Sequence, residues 1–291
     1  MLQVQLHNLL QMMEQLLKRR ANPWPEKYRC CVTFSFDLDA ETLWLSRNPD
    51  NYKRPGTLSL GAYGHKEGIP RIAKLFKKYD LPATFFVPGW VVERHEDLIK
   101  GLTELGHEIG HHGYAHEWPD TLELNQEKEI IFKGIDIIKK ATGRRPIGYR
   151  SPAGEFSPNT LELLVGNEFV YSSNMMDSDL PYKHKLNGKE TSLVELPMQW
   201  YLDDAVYFMF AIKPPQRMTV MEPFGIFQMW KLEFDCVYEE SLWVNYCMHP
   251  QLIGHPHRMR LLEDLIVHIR YHSDVWIPTM AEAALYWQGK R

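Results

Sequence analysis

The sequence predicts an α/β protein: a closed or nearly closed barrel of parallel strands with helices outside. Three observations predict it. Short β-branched and aromatic runs alternate with amphipathic helical stretches from residue 31 to the end, and such alternation argues a parallel sheet. Seven or eight strand–helix units can be counted, which is enough for the sheet to close. Chemically distinctive residues fall just after the strands, on the rim where a barrel collects its catalytic groups. With 291 residues, 44% of them hydrophobic, the chain can bury one large core. No Pro/Gly/Ser-rich linker divides it, so residues 26–291 are expected to form a single domain, preceded by an extension over 1–25.

In that extension Leu2, Leu6, Leu9, Met13 and Leu16 recur at spacings of four and three, a heptad stripe. The spacing predicts an amphipathic helix, docked on its own domain or on a neighbouring subunit. Lys18-Arg19-Arg20 complements its carboxyl end, and Pro23 and Pro25 end it. Polar residues interrupt its apolar ones and no basic region precedes it, so it does not read as a signal peptide. No apolar run approaches the roughly 18 residues of a membrane span. Cys30, Cys31, Cys236 and Cys247 form no C-x-x-C, so neither a zinc ribbon nor a disulfide framework is implied and reduced, buried thiols are expected. A cytoplasmic location is therefore expected. A net charge of -4 gives no basic field for nucleic acid or an anionic membrane.

Taken in order, Cys31 to Phe36 is a β-branched and aromatic run that predicts a buried strand. It ends in Asp37-Leu38-Asp39, and residues at i and i+2 share a face, so both carboxylates enter one space. A cation, a proton or an arginine must resolve the repulsion, unless both are solvated turn residues. Residues 48–64, rich in Pro, Gly, Asn and Tyr, read as a long loop near that strand end. Ile69, Ile72, Leu75, Phe76 and Tyr79 mark a helix, Ala83 to Val87 a strand, and 97–105 a helix that Gly106 ends.

Gly106 to Glu117 gathers four of the thirteen histidines. One reading is the zincin signature His107-Glu108-x-x-His111, which requires a helix. Gly106, Gly110 and Gly113 would each cost that helix about 1 kcal/mol relative to Ala. The better reading is a strand over 107–110, with His112 and His116 beyond it on a loop or first helical turn, their i,i+4 spacing turning both rings to one ion. His111 then reads as a hydrogen-bonded scaffold residue, and a third ligand must come from elsewhere.

Helices over 125–141, 158–165, 225–241 and 258–272 and strands over 147–150, 169–172, 193–196, 242–248 and 275–277 follow, before a last helix from Thr279. Asp37 and Asp39 thus follow the first strand, His112 and His116 the third, Arg150 the fourth, Asp177 and Asp179 the fifth, and His249-Pro250 the last long one. Each could be an ordinary surface or core residue alone. Their shared placement on one rim argues a site.

These residues resemble the polysaccharide deacetylases of the NodB homology domain, carbohydrate esterase family 4, from about Cys31 to Glu282. That family carries a strand ending in two aspartates, an H-x-x-x-H pair, an R-x-P segment and a late histidine, which here resemble Asp37-Leu38-Asp39, His112 with His116, Arg150-Ser151-Pro152 and His249-Pro250. The resemblance implies a distorted (β/α)7-type barrel. It further implies that Asp37 is the catalytic base, that Asp39, His112 and His116 bind metal, and that Arg150 partners the base. The family's aspartates are adjacent, whereas Leu38 splits them here, and its Asp-x-x-x-Trp motif has no counterpart. Segments such as Leu81-Pro82-Ala83-Thr84-Phe85-Phe86 and Trp200-Tyr201-Leu202-Asp203-Asp204 are similar to a branch of peptidoglycan deacetylases, cyclic imide hydrolases and allantoinases, which are commonly homo-oligomers.

The expected function is metal-dependent hydrolysis of a non-peptide amide. One divalent ion is expected, zinc before cobalt, nickel or manganese, with His249 protonating the departing nitrogen. The substrate is an N-acetylated sugar polymer or, alternatively, a small cyclic imide or ureide. Tyr63, Trp118, Glu155, Asp179, Trp200 and Tyr201 are candidate substrate contacts. Two further classes remain: a non-haem iron oxygenase, which shares the two-histidine, one-carboxylate set, and a non-catalytic glycan-binding protein.

Overall fold

The computed structural model describes residues 22–210 and 220–290. The heptad stripe of the amino-terminal extension lies outside the described residues. Strand β1 (Cys30–Asp37) is buried along its whole length. It is flanked in parallel by β2 (Thr84–Val87) and β8 (Trp243–Met248). From β2 the sheet continues in parallel through β3 (Glu108–His111), β4 (Gly148–Tyr149), β5 (Tyr171–Ser172) and β7 (Lys189–Glu195). An antiparallel strand β6 (Tyr182–Leu186), absent from the sequence reading, pairs with β7 at the edge, and β9 (Val275–Trp276) pairs with the start of β1.

These parallel strands wrap into a distorted barrel, as the alternation predicted. Between β7 and β8 the ladder gives way to one isolated parallel bridge, Asp203 to Cys247, and to a hydrogen bond from the Trp243 N–H to the Asp179 carbonyl at 3.1 Å. The distortion lies there. The interior is occluded: the Arg150 guanidinium, beyond β4, touches Ser35 and Asp37 of β1, Cys247 of β8 and Ser173 beyond β5.

Outside, the helix Ile69–Tyr79 buries Ile69, Ile72, Leu75 and Phe76 at helical spacing. Phe76 meets Phe34 and Phe36 of β1 edge-on, with ring centroids 5.5 and 5.4 Å away. Each such buried aromatic contributes about 1.5–3 kcal/mol of apolar burial. The helix Pro223–Glu240 adds Trp230 and Phe234, both fully buried. No helix among the described residues is long and apolar enough to cross a membrane.

One expectation is overturned. Residues 48–64 are not a loop: after the helix Thr42–Arg47 come a 3-10 turn Pro49–Lys53, the helix Pro55–Tyr63 and a π segment Gly64–Gly68 that runs directly into Ile69–Tyr79. The prolines misled because Pro49 and Pro55 occupy first helical positions, where a missing N–H costs nothing. The glycines permit contact. A Cβ on Gly61 would lie 2.4 Å from the Ala40 carbonyl oxygen, and one on Gly68 would lie 2.2 Å from that of Pro250. The helical insertion is thereby seated on the turns after β1 and β8, the two turns that carry Asp39 and His249.

Candidate active site

Asp37 is the last residue of β1, and Asp39 lies two residues on. Between them Leu38 is fully buried in the core, and its N–H bonds to the Phe86 carbonyl at 2.9 Å. Both carboxylates consequently enter the same space, as alternation requires.

His112 and His116 follow β3 on a loop with no helical turn. Gly113 and His116 adopt left-handed backbone angles (φ 71° and 63°), and the Glu117 carboxylate accepts the N–H groups of Tyr114 and Ala115 at 3.0 and 2.8 Å. This tight fold turns both rings inward. His112 Nδ1 donates to the Arg150 carbonyl at 2.8 Å, which leaves Nε2 as the free lone pair, 3.3 Å from Asp39 Oδ1. His116 Nδ1 meets Ser46 Oγ at 3.1 Å, and its Nε2 lies 3.8 Å from Asp39 Oδ1. Burial alone would raise the Asp39 pKa, but His116, His112 and His249 outweigh it and hold the carboxyl below its usual range. Burial pushes His116 down to about 4.

The zincin residues stand elsewhere. His107 Nδ1 accepts the Ala83 N–H at 3.2 Å, Glu108 is bonded to Thr84 and Tyr171, and His111 Nε2 contacts the Ile131 carbonyl at 3.1 Å. All three are scaffold.

Arg150 Nη1 donates to Asp37 Oδ1 at 2.8 Å and to Ser35 Oγ at 2.9 Å, while Nη2 donates to Ser173 Oγ at 2.9 Å. Burial opposes its charge, yet Asp37 more than offsets this and raises its pKa. His249, after β8, directs Nδ1 to Asp204 Oδ1 at 2.7 Å and to Asp203 Oδ1 at 3.6 Å, with Nε2 3.7 Å from Asp39 Oδ2. Burial would lower its pKa, but Asp203, Asp204 and Asp39 raise it well above the ordinary value. Burial, with the charge of Asp204 adding to it, pushes the Asp203 carboxyl up to about 6.

A cleft of about 260 Å³ opens on Asp37, His112, His116, Arg150 and His249. Trp118 and Trp200 line it, as do Arg47 and Asp203. The other expected substrate contacts are not brought to it. Tyr63 is stacked on His255 at 4.1 Å and accepts from Arg71, Tyr201 reaches out to Glu233, and Glu155 is exposed. Asp177 and Asp179 are exposed too, Asp177 accepting from the Tyr182 hydroxyl, because the chain turns outward after β5 to build β6. The acidic pair that serves the rim is Asp203-Asp204. Sequence reasoning missed it because it follows a 3-10 turn, Trp200–Leu202, and not a strand end. Two adjacent aspartates after an aromatic pair were the available signal.

Comparison with known proteins bears on what such a site belongs to. The polysaccharide deacetylase family pattern matches residues 61–171, a span that includes His112, His116 and Arg150. The chain is 37% identical over 277 residues to the peptidoglycan deacetylase of Helicobacter pylori, covering 87% of this chain and 94% of that protein. The chain belongs to the polysaccharide deacetylase family. As a family member it is a hydrolase of the kind that cleaves N-acetyl amide bonds. A Mycobacterium smegmatis structure described as a polysaccharide deacetylase superposes with a TM-score of 0.87 at 35% identity, covering 92% of this chain and 93% of that one. The structure of Puue allantoinase superposes with a TM-score of 0.82 at 26% identity, covering 94% and 95%. Deacetylases of this family depend on a metal, and Asp39, His112 and His116 form one of the groups able to hold an ion.

Proposed function

We propose that this deacetylase hydrolyses the N-acetyl amide of a sugar with one divalent metal, zinc before cobalt, nickel or manganese, held by Asp39, His112 and His116. One observation carries the reading. Among the described residues Asp39 Oδ1 is fully buried without a hydrogen-bond partner, and the Nε2 atoms of two histidines face it while their Nδ1 atoms are engaged elsewhere. An unsatisfied buried carboxylate oxygen costs several kcal/mol, and a cation at that point removes the cost. Two imidazoles and one carboxylate suit a catalytic zinc site, which keeps an open position.

Bound there, the ion supplies Lewis acidity, lowering the pKa of a water and polarising the amide carbonyl. Asp37, oriented by its hydrogen bond from Arg150, accepts the proton of the attacking water. His249, protonated against Asp203 and Asp204, gives the Nε2 proton to the departing nitrogen, so that the C–N bond breaks to acetate and a free amine. Trp118 and Trp200 offer apolar faces to a sugar ring.

The likeness to Puue allantoinase over nearly the whole of both chains favours a second reading, a small cyclic imide or ureide. The helical insertion at the rim suits a small substrate as well. Assaying N-acetylglucosamine oligomers beside succinimide and dihydropyrimidine rings, with metal analysis of the same preparation, separates the two; turnover of neither class refutes both. We further place residues 26–291 in one catalytic domain with 1–25 as an extension, in a cytoplasmic homo-oligomer, which light scattering and fractionation test.

A further inference from the structure

Among the described residues the cleft presents a cation that the proposed reaction does not use, Arg47. Arg47 ends the helix Thr42–Arg47 and lines the cleft beside Leu43 and Met209. Arginine has five N–H donors and stays charged at any physiological pH. Those of Arg47 are poorly served. Nη1 meets the Met209 sulfur at 2.8 Å, a weak acceptor, and Nε is buried without a partner among the described residues. Among the described residues no carboxylate ion-pairs with it. Burial pulls its pKa down, while Asp39 and Asp203 pull the other way from a distance. Arg150, in the same cleft, is by contrast bonded to Asp37, Ser35 and Ser173.

Arg47 is half-buried, so the cost falls on its buried, unpaired Nε, and its planar fork matches a carboxylate in two parallel bonds. Its position is also fixed by the reaction centre. On the same short helix the Thr42 hydroxyl bonds to the Asp39 carbonyl at 2.6 Å, and the preceding Ser46 contacts His116. A group bound at Arg47 is therefore held at a set distance from Asp39 and His116.

We propose that Arg47 recognises an anionic substrate, a carboxylate borne by the same molecule whose amide is cleaved. The inference rests on the amide-hydrolase reading above and sharpens it: the substrate is an acidic N-acetyl sugar and not a neutral chitin-like chain. If Arg47 served only to balance Asp39 and Asp203, its loss would affect acidic and neutral substrates alike.

The test uses the full chain loaded with zinc and measures kcat/KM for N-acetylmuramate, N-acetylglucosamine and N-acetylglucosamine 6-phosphate. Wild type is expected to favour the muramate at least tenfold over N-acetylglucosamine. Arg47→Gln should abolish that ratio through KM, with Arg47→Lys between them; should the Gln variant not fold, the wild-type ratio and the Lys variant decide. Equal wild-type values, an unchanged ratio in the variants, or a preference for the phosphate overturns the assignment. If wild type turns over none of the three, the N-acetyl-sugar reading fails separately. Calorimetric titration with N-acetylmuramate then decides this inference: binding weakened tenfold or more by Arg47→Gln supports it, and equal affinity overturns it.

Discussion

His249 Nδ1 lies 2.7 Å from Asp204 Oδ1, and the His249 backbone N–H reaches the same oxygen at 3.0 Å. One carboxylate oxygen thus holds both ring and backbone. Asp203 is the second negative charge behind the ring. Because these charges raise the His249 pKa well above its ordinary value, the imidazole stays protonated through neutral pH and loses its proton only on the alkaline side. Activity that needs this acid is accordingly present below the raised pKa and lost as pH rises through it. Asp204→Asn removes one of the charges, so the alkaline limb of the kcat/KM profile should move to lower pH by about one unit or more. The linked stability has the same sign. The contribution of the pair is full below the unfolded histidine value of about 6.5 and fades as pH rises through the folded one. An unmoved alkaline limb in Asp204→Asn would remove His249 from the role of acid.

Metal retention should separate the two histidine pairs of the segment 107–116. His112→Ala and His116→Ala are expected to lose bound metal, whereas His107→Ala, which removes a bond to the Ala83 N–H, keeps it. Ser46→Ala should weaken retention about 10- to 100-fold, the usual effect of freeing the far nitrogen of a ligand histidine. Elemental analysis after dialysis reads all four. Metal retained in His116→Ala would sink the ligand set.

Asp37→Asn should bind metal yet lose about 10²- to 10⁴-fold in kcat, the range for a missing general base. It should also be less stable by about 3–5 kcal/mol, because Arg150 is left fully buried without its counter-charge. Denaturant titration beside the assay reads both losses. Full activity at normal metal content would be incompatible with the base assignment.

Gly68→Ala tests how the rim is built. Its Cβ would fall 2.2 Å from the Pro250 carbonyl oxygen, a backbone atom that can yield only by moving the turn after His249. We expect a cost of about 1–3 kcal/mol together with a fall in kcat, since the strain is delivered to the turn that holds the acid. Gly101→Ala, inside the helix Glu96–Glu104 where a Cβ meets nothing, is the control: kcat should be unchanged and stability should rise by about 1 kcal/mol.

The strand–helix alternation and the i,i+2 pair Asp37 and Asp39 were legible because periodicity and burial are local properties of the chain. Helix Ile69–Tyr79 falls where its apolar residues placed it. The segment 48–64 was not legible, because proline at a first helical position and glycine at a close contact look, in sequence, the same as proline and glycine in a loop. Asp203 and Asp204 were displaced by Asp177 and Asp179 for a related reason. Which acidic pair returns to the rim depends on where the chain leaves the sheet after β5 and β7, and that is set by packing.

By itself, then, the sequence determined which residue types stand at strand ends and in what order around the barrel, since side-chain direction along a strand follows from backbone geometry alone. Only the tertiary structure decided that, among the described residues, Asp39 Oδ1 is buried with two imidazoles facing it and no hydrogen-bond partner, that Asp203 and Asp204 stand behind His249, and that Arg47 enters the cleft with no carboxylate paired to it. Those are relations among residues up to about two hundred positions apart. Their energies come from desolvation and proximity, which exist only once the barrel has closed.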